Sequence, residues 1–471
     1  MKQMRSAMRI VSAILILAFL STAGFLTFTV YSQGSRWITT RYNTRLNTAK
    51  QKVHMGSITD RDGILLASTD EDGVRSYPAN KARRRSMSHV VGDQLSMSGT
   101  GVETFHAGTL LGISGSIVDR TWQFITGSSY RGDDIQITVS SELQKYIFEQ
   151  FPAKKKGSVV IINYKTGEVL SMLSMPYYDP NSLTNRRSSS NDNSAAYLSR
   201  SLQGQYTPGS VFKIVTLAAA LESIPDVSKR TFHCTGSRTF EHTKVSCIGG
   251  TKHGKLGLME AFAQSCNTTF AELAVEMGEK TLVRKAEQMG LNKNFNFKDL
   301  IVYQSRIPTA MEDVGELAWT GVGQGKLLVT PIHMALIAGA VANDGLMREP
   351  QLIKQVTSAA GIPRLRTTNN TYGRIMTVGA AKATAQCMAQ AVESGTAKQS
   401  KIKGFTVCGK TGTAEVSDDK SVQTDAWYVG FVQDENAPYA IAVVVEAGGK
   451  GGGIAAPLAQ KALKKAIALG L

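Results

Sequence analysis

Residues 404–411 read Gly-Phe-Thr-Val-Cys-Gly-Lys-Thr (GFTVCGKT). Letter for letter they satisfy G-x-x-x-x-G-K-[ST], the signature of a loop that cradles nucleotide phosphates. Such a loop needs a strand ahead of its first glycine, an irregular turn, and a helix opening at the lysine, so that backbone N–H groups face the phosphates. Here Phe405, Thr406, Val407 and Cys408 are themselves strand formers, and the following GTAEVSDDK is a poor helix start. The segment predicts a strand, not a phosphate loop, and with it an antiparallel β-rich end to the chain.

Working outward, AWYVGFVQ and YAIAVVVEAG follow as two more β-rich runs, separated by the turn-forming SDDKS and DENAP, and PLAQKALKKAIALG closes as a helix. A matching β-rich pair lies far upstream, GSVVIIN and EVLSMLS joined by YKTG, a hairpin signature. Between the two ends run helical patterns: SVFKIVTLAAALE, LMEAFAQS, NTTFAELAVEMGE and PIHMALIAGAVAN. The simplest assembly is an α+β domain with one antiparallel sheet of about five strands, two from the start and three from the end, and a helical subdomain inserted between them.

The chain of 471 residues is 42% hydrophobic and 19% charged, enough for a large core and too apolar for a disordered protein. Its 53 Lys+Arg against 37 Asp+Glu leave +16, which suits nucleic acid, an anionic membrane surface or an acidic polymer outside the cell. The N-terminus narrows the choice. IVSAILILAFLSTAGFLTFTVY, residues 10–31, is long enough to cross a bilayer, and Lys2, Arg5 and Arg9 precede it. Basic residues stay on the cytoplasmic side, so the rest of the chain is expected outside the membrane, where ATP is scarce. A cleaved signal peptide is the alternative, since Ser21-Thr22-Ala23 offers small residues, but the apolar run continues to Tyr31 and favours a retained anchor. The expected organisation is residues 1–9 in the cytoplasm, 10–31 in the membrane, a small non-catalytic pedestal over 32–145, and the α+β domain over 146–471. Within the pedestal, KARRRS reads as a solvated loop, or else as an attraction to anionic lipid or wall polymer. The five cysteines, Cys234, Cys247, Cys266, Cys387 and Cys408, are an odd set. Cys234 and Cys247, with His253 nearby, are open to three readings: a disulfide, part of a metal site, or small buried residues. No C-x-x-C pair argues for zinc.

If Lys410 holds no phosphate, it needs another use. Ser210 stands in YTPGSVFK with Lys213 three residues on, a spacing that puts both on one helix face. The surrounding apolar sequence would desolvate Lys213, lower its pKa and leave a neutral amine able to take the serine proton. Other S-x-x-K copies, Ser400 to Lys403 and Ser417 to Lys420, lie in polar connectors where a lysine stays solvated. Ser265-Cys266-Asn267 follows a helical run, whereas Ser189-Ser190-Asn191 sits in a polar tract. Lys410-Thr411-Gly412 falls on the predicted strand, whereas Lys165-Thr166-Gly167 occupies the hairpin turn.

In this order, S-x-x-K, S-x-N and K-[ST]-G, the chain resembles the penicillin-binding, serine-active acyl transferases. GSVVIINYKTGEVLSMLSMPYYDPN, SRSLQGQYTPGSVFK, TGVGQGKLLVTPIHMALIAGAVANDG, ESGTA, CGKTGTAE and AWYVGFV look like stretches of their transpeptidase domain. GSITDRDGILLA and SHVVGD look like the N-terminal module of the class B, monofunctional type; Met55-Gly56 stands where the family usually shows Arg-Gly. The resemblance implies the serine penicillin-recognising transpeptidase fold and a membrane-anchored D,D-transpeptidase acting on peptidoglycan stem peptides ending in D-Ala-D-Ala and acylated by β-lactams. It implies Ser210 as nucleophile, Lys213 as base, Ser265 as proton relay to the leaving amine, and Asn267 as a hold on the substrate amide. Lys410 and Thr411 would line the opposing strand with Gly412, Lys410 meeting the substrate carboxylate and Thr413 contacting it, while the backbone N–H groups of Ser210 and Thr413 form the oxyanion hole. No metal or organic cofactor and no nucleic acid is implied, and a separate membrane glycan polymerase is the expected partner. The glycine-rich GGKGGGIAAP is expected as a mobile loop beside the cleft or a helix lead-in. The competing activities are a D,D-carboxypeptidase or β-lactamase, with water in place of the acceptor amine, and a β-lactam-sensing module, which would normally carry more membrane helices.

Overall fold

The computed structural model describes residues 2–38, 53–112, 131–183, 194–366, 369–416, 419 and 422–471. The Ser189–Asn191 and Ser417–Lys420 copies of the boxes lie outside the described residues, except at Asp419. At the N-terminus, Lys2–Ile38 is one helix, and Ala7–Val30 is long and apolar enough to span a bilayer, with none of the span buried against protein. The hydroxyls of Thr22, Thr27 and Thr29 donate to the carbonyls of Ala18, Ala23 and Phe25, which satisfies them without water.

The α+β domain is organised by a five-stranded sheet in the order Val407–Ala414, Asp425–Val432, Tyr439–Val445, Gly157–Asn163, Val169–Met175. Every neighbour in it is antiparallel, so the chain's end inserts beside the hairpin that begins the domain, as the sequence implies. The strands 425–432 and 439–445 are buried at every residue, which is why they read as unbroken apolar runs and not as alternation. Helices Pro331–Ala342 and Ala455–Leu469 pack on the sheet. The first of these is apolar all round and carries Pro at its start, where the missing N–H costs nothing. Between Met175 and Val407 the expected helices appear, including Lys213–Ser223, Leu258–Ala263, Asn267–Met277 and Val378–Glu393. Two short β pairs over 231–257 interrupt them, Thr231–Cys234 with Gly254–Gly257 and Ser237–Phe240 with Thr243–Ser246.

The pedestal differs from its sequence reading in two ways. Its six-stranded sheet takes Ile58–Thr59, Leu65–Thr69, Arg75–Ser76 and Asp134–Ile137 from the N-terminal region, but Ile353–Thr357 and Pro363–Arg366 from far downstream. Asp134–Ile137 pairs with Ile353–Thr357, so the two parts are stitched through one sheet. KARRRS is no solvated loop: residues Lys81–Ser86 form a helix turn whose arginines each find a carboxylate. Arg83 pairs with Glu142, while Arg84 grips Asp179 with two nitrogens at 2.7 and 2.9 Å and Arg85 adds a third bond at 3.1 Å. The Arg84 hydrogen bonds first, then the Asn181 N–H and Arg85, hold the Asp179 carboxyl down to about 2 against the opposing effect of burial.

Because the Arg84 and Asp179 side chains are only 9% and 11% exposed, removing Arg84 leaves a nearly buried carboxylate with the half-exposed Arg85 as its remaining cation. Arg84→Met is expected to lower unfolding stability by about 3 kcal/mol, read as a drop in melting temperature in detergent. The Asp179 pKa is lowered on folding, so the pair's contribution is full above about pH 4 and fades as pH falls through about 2. A variant whose deficit is unchanged at the acid end would contradict this account.

Candidate active site

Ser210 does not sit on the first turn of a regular helix. It lies in a 3₁₀ turn, Gly209–Phe212, that leads into helix Lys213–Ser223. Three contacts fix that turn. Gly209 N donates to Gly323 O at 2.9 Å, Trp427 Nε1 from the sheet donates to Thr207 O at 3.0 Å, and Thr216 Oγ1 one turn on donates to Gly321 O at 2.7 Å. Gly209 has φ of 56°, and a Cβ there would stand 2.7 Å from Thr413 O, so the nucleophile turn and the sheet's first strand touch backbone to backbone.

Lys213 is fully buried, and its Nζ is shared by two boxes. It lies 2.6 Å from Asn267 Oδ1, 2.8 Å from Ser265 O, and 3.2 Å from both Ser210 Oγ and Ser265 Oγ. The first two are acceptors only, and Asn267 Nδ2 is spent on Ser246 O at 2.7 Å, which sets the amide's orientation. A neutral amine gives its two N–H groups to those acceptors and keeps its lone pair for the Ser210 hydroxyl proton. Burial favours that state, pushing the Lys213 ammonium down to about 7, partly opposed by Cys266 and Cys247. Its nitrogen also lies 5.5 Å over the Phe270 ring.

Ser265 is presented by a turn with φ of 58°, a conformation that costs a non-glycine residue on the order of 1–3 kcal/mol and points its hydroxyl between two lysines. Lys410 Nζ donates to Ser265 Oγ at 2.9 Å and to Thr411 O at 3.0 Å. Lys410 lies on strand Val407–Ala414, in register with Val429, so the segment that mimics a phosphate loop is strand from Val407 through Gly409 and Lys410, while Gly404 stands in a turn ahead of it and Phe405 and Thr406, expected as strand, precede the strand's start. Burial, and then the nearby Lys213 charge, hold Lys410 well below the ordinary lysine range.

The side chains that face solvent differ from those expected. A cleft of about 680 Å³ is lined by Ser210, Ser265, Thr411, Thr413, His253 and Lys450, among others, while Lys410 is completely buried behind them. Direct contact between Lys410 and a substrate carboxylate is therefore not offered by this geometry; the hydroxyls of Thr411 and Thr413 stand in front. Gly412 lies between them, close-packed, since a Cβ there would meet Pro208 O at 2.8 Å. Thr411 Oγ1 donates to Thr396 Oγ1 at 2.8 Å, and Gly451 N reaches Thr413 Oγ1 at 3.5 Å. Thr396 and Lys450 were not singled out from sequence; their signals were the stretches ESGTA and GGKGGG.

The decoys separate as structure. Lys165-Thr166-Gly167 is the hairpin turn, where Asn163 Oδ1 accepts from the N–H groups of Lys165 and Thr166. Ser400 is buried, contrary to its expected place in an open connector, but its hydroxyl is used by Tyr428 at 2.9 Å and Lys403 is exposed.

Gly209→Ala tests the backbone contact. The added Cβ costs about 1–2 kcal/mol in left-handed strain, and by displacing Ser210 it is expected to slow penicillin acylation on the order of a hundredfold. Stopped-flow acylation with a fluorescent penicillin, alongside a melting curve, distinguishes this from unfolding; an unchanged rate would count against the contact.

Residues 157–464 match the family described as the penicillin binding protein transpeptidase domain. Over 98% of this chain and 99% of the relative, it is 28% identical to the peptidoglycan D,D-transpeptidase PbpA of Mycolicibacterium smegmatis. Among solved structures, the D,D-transpeptidase domain of a peptidoglycan glycosyltransferase from Eggerthella lenta superposes with a TM-score of 0.77 at 30% identity, covering 89% of this chain and 99% of that one. Penicillin-binding protein A of M. tuberculosis, as its penicillin G acyl-enzyme complex, superposes with a TM-score of 0.79 at 27% identity, covering 88% and 100%. With the three boxes meeting in one cleft and the family matched across most of the chain, the protein belongs to the penicillin-binding protein transpeptidases, in the class B group of peptidoglycan D,D-transpeptidases.

Proposed function

We propose that Ser210 is the acylated residue of a membrane-anchored D,D-transpeptidase that cross-links peptidoglycan stem peptides. The observation that carries this reading is the amine of Lys213, buried, bonded to two obligate acceptors and 3.2 Å from Ser210 Oγ. Neutral Lys213 takes the Ser210 proton as Oγ attacks the penultimate D-Ala carbonyl. The backbone N–H groups of Ser210 and Thr413 receive the oxyanion, supported by the touching backbones at Gly209 and Thr413. Ser265 Oγ, between Lys213 and Lys410, carries the proton onward to the leaving amine, and D-Ala departs. The amine of a neighbouring stem peptide then attacks the acyl-enzyme, and reversal of the proton path releases Ser210. Asn267, with Oδ1 on Lys213 and Nδ2 on Ser246 O, orients the base, while the hydroxyls of Thr411 and Thr413 hold the terminal carboxylate and Lys410 supports the relay through Ser265 Oγ. A β-lactam follows the same first steps, but its leaving amine stays tethered and blocks the acceptor.

We place residues 10–31 in the membrane with the catalytic domain outside, on the basic residues ahead of the apolar helix. The region over 32–145 serves as a non-catalytic pedestal, and a separate membrane glycan polymerase supplies the strands, since that region is too short for a polymerising domain.

Mass spectrometry after penicillin treatment is expected to show one adduct on the parent and none on Ser210→Ala; an adduct that persists would move the nucleophile elsewhere. The parent's adduct should remain for many minutes, because a transpeptidase does not admit water readily, whereas quick loss would favour the carboxypeptidase or β-lactamase reading. Since only unprotonated Lys213 is a base, acylation is expected to rise about tenfold per pH unit below about 7 and level off above it. A rate flat from pH 5 to 8 would remove Lys213 from that role.

A further inference from the structure

Behind the Ser265-Cys266-Asn267 turn, four donor side chains converge. The ligating atoms of Cys234, Cys247, His253 and Cys266 all lie within 4.8 Å of one another. Cys234 Sγ stands 3.7 Å from Cys247 Sγ and 3.3 Å from His253 Nδ1, and Cys247 Sγ stands 3.9 Å from Cys266 Sγ. A tetrahedral zinc with arms of about 2.3 Å to sulfur and about 2.0 Å to nitrogen has S···S edges of ~3.8 Å and S···N edges of ~3.5 Å. The three short separations, 3.7, 3.3 and 3.9 Å, are close to the edges of such a shell, whereas a disulfide needs about 2.05 Å. Parity makes the same point, because a disulfide between any two of the cysteines strands the third and the histidine, while a single cation engages all four.

We propose that Cys234, Cys247, His253 and Cys266 form a structural zinc(II) site that fixes the Ser265-Cys266-Asn267 turn beneath the cleft. The ligands arrive from separate segments. Cys234 ends a strand in register with Gly254, which brings His253 alongside. Cys247 follows strand Thr243–Ser246, and its N–H donates to Gly236 O at 2.9 Å. Cys266 is the N-cap of helix Asn267–Met277, where its sulfur accepts from Thr269 Oγ1 at 3.3 Å with Thr268 Oγ1 at 3.2 Å. Hydroxyl donors and a helix N-terminus are the surroundings that stabilise a thiolate ligand. Three sulfurs and an imidazole suit zinc, which has no redox chemistry and accepts tetrahedral geometry. On binding, each thiol gives its proton to solvent and each sulfur gives a lone pair to the ion.

The site takes no part in bond making, because four protein ligands close the coordination sphere. Its effect is positional. Cys266 lies between Ser265 and Asn267 in sequence, and Cys247 follows Ser246, whose carbonyl holds the Asn267 amide. The positional role rests on the assignment of Ser265 and Asn267 above; metal binding does not.

The full chain, purified in detergent without chelator or metal-binding tag, is analysed by elemental mass spectrometry. About one zinc per chain is expected, retained in Ser210→Ala and in Cys387→Ser and reduced at least tenfold in Cys234→Ser and His253→Ala. His253 is only partly buried, so its removal spares the core, and circular dichroism reports on folding. Cobalt(II) added to the metal-free parent, which needs no variant, should give tetrahedral d–d bands and thiolate-to-cobalt charge-transfer absorption. Zinc retained by Ser210→Ala, with penicillin labelling lost, keeps the two proposals separable. A zinc content unaffected by both ligand variants, a cobalt spectrum without thiolate bands, or a native Cys234–Cys247 disulfide in peptide mapping would overturn the site.

Discussion

One buried amine holds the catalytic geometry together. Lys213 Nζ touches the nucleophile turn, the carbonyl and hydroxyl of Ser265, and the amide of Asn267, so two segments far apart in sequence are fastened to one atom. Burying a charge there would be costly, and the structure avoids the cost by favouring the neutral form. Chemistry and packing therefore ask for the same protonation state. That coincidence explains why the lysine can be fully enclosed, with an aromatic ring over its nitrogen and no need of a counter-ion.

The second constraint is steric. Gly209, Gly323 and Gly412 stand where backbones meet: a Cβ on Gly323 would come within 2.0 Å of Gly209 O, and one on Gly412 would come within 2.8 Å of Pro208 O. The nucleophile turn is thus wedged between the inserted helices and the sheet. Side chains position Ser210 from one side through hydrogen bonds, and glycines position it from the other through the absence of side chains.

Much of this was legible in sequence because it is local. The spacing of three brings Ser210 and Lys213 together although the serine sits in a 3₁₀ turn ahead of the helix, strand 407–414 declares itself by its residues, and the continuous apolar runs 425–432 and 439–445 mark strands buried on both faces. The reading fails where the answer depends on which distant segment fills a place. Strands 353–357 and 363–366 join the pedestal's sheet, and no periodicity says which sheet a strand will enter. The KARRRS run looks solvated because its partners, Glu142 and Asp179, lie far downstream. Lys410 carries the right letters for a cleft lysine, yet the strand's alternation and its neighbours bury it behind Thr411 and Thr413. Of the four donors over 234–266, Cys234, Cys247 and His253 leave a metal reading open in sequence, but nothing there joins Cys266 to them, and only the two short β pairs over 231–257 and the helix start at Asn267 gather all four.

The strand order also says when this protein can fold. In the five-stranded sheet, Gly157–Asn163 finds its inner neighbour only in Tyr439–Val445, and in the pedestal Asp134–Ile137 waits for Ile353–Thr357. The five-stranded sheet cannot close until the last part of the chain is made, so the early hairpin, buried on both faces in the finished fold, stays without its inner neighbour from Met175 until Tyr439–Val445 is made. A segment in that condition is the part of the chain with most need of a folding helper, and the place where a stalled or truncated product would first aggregate.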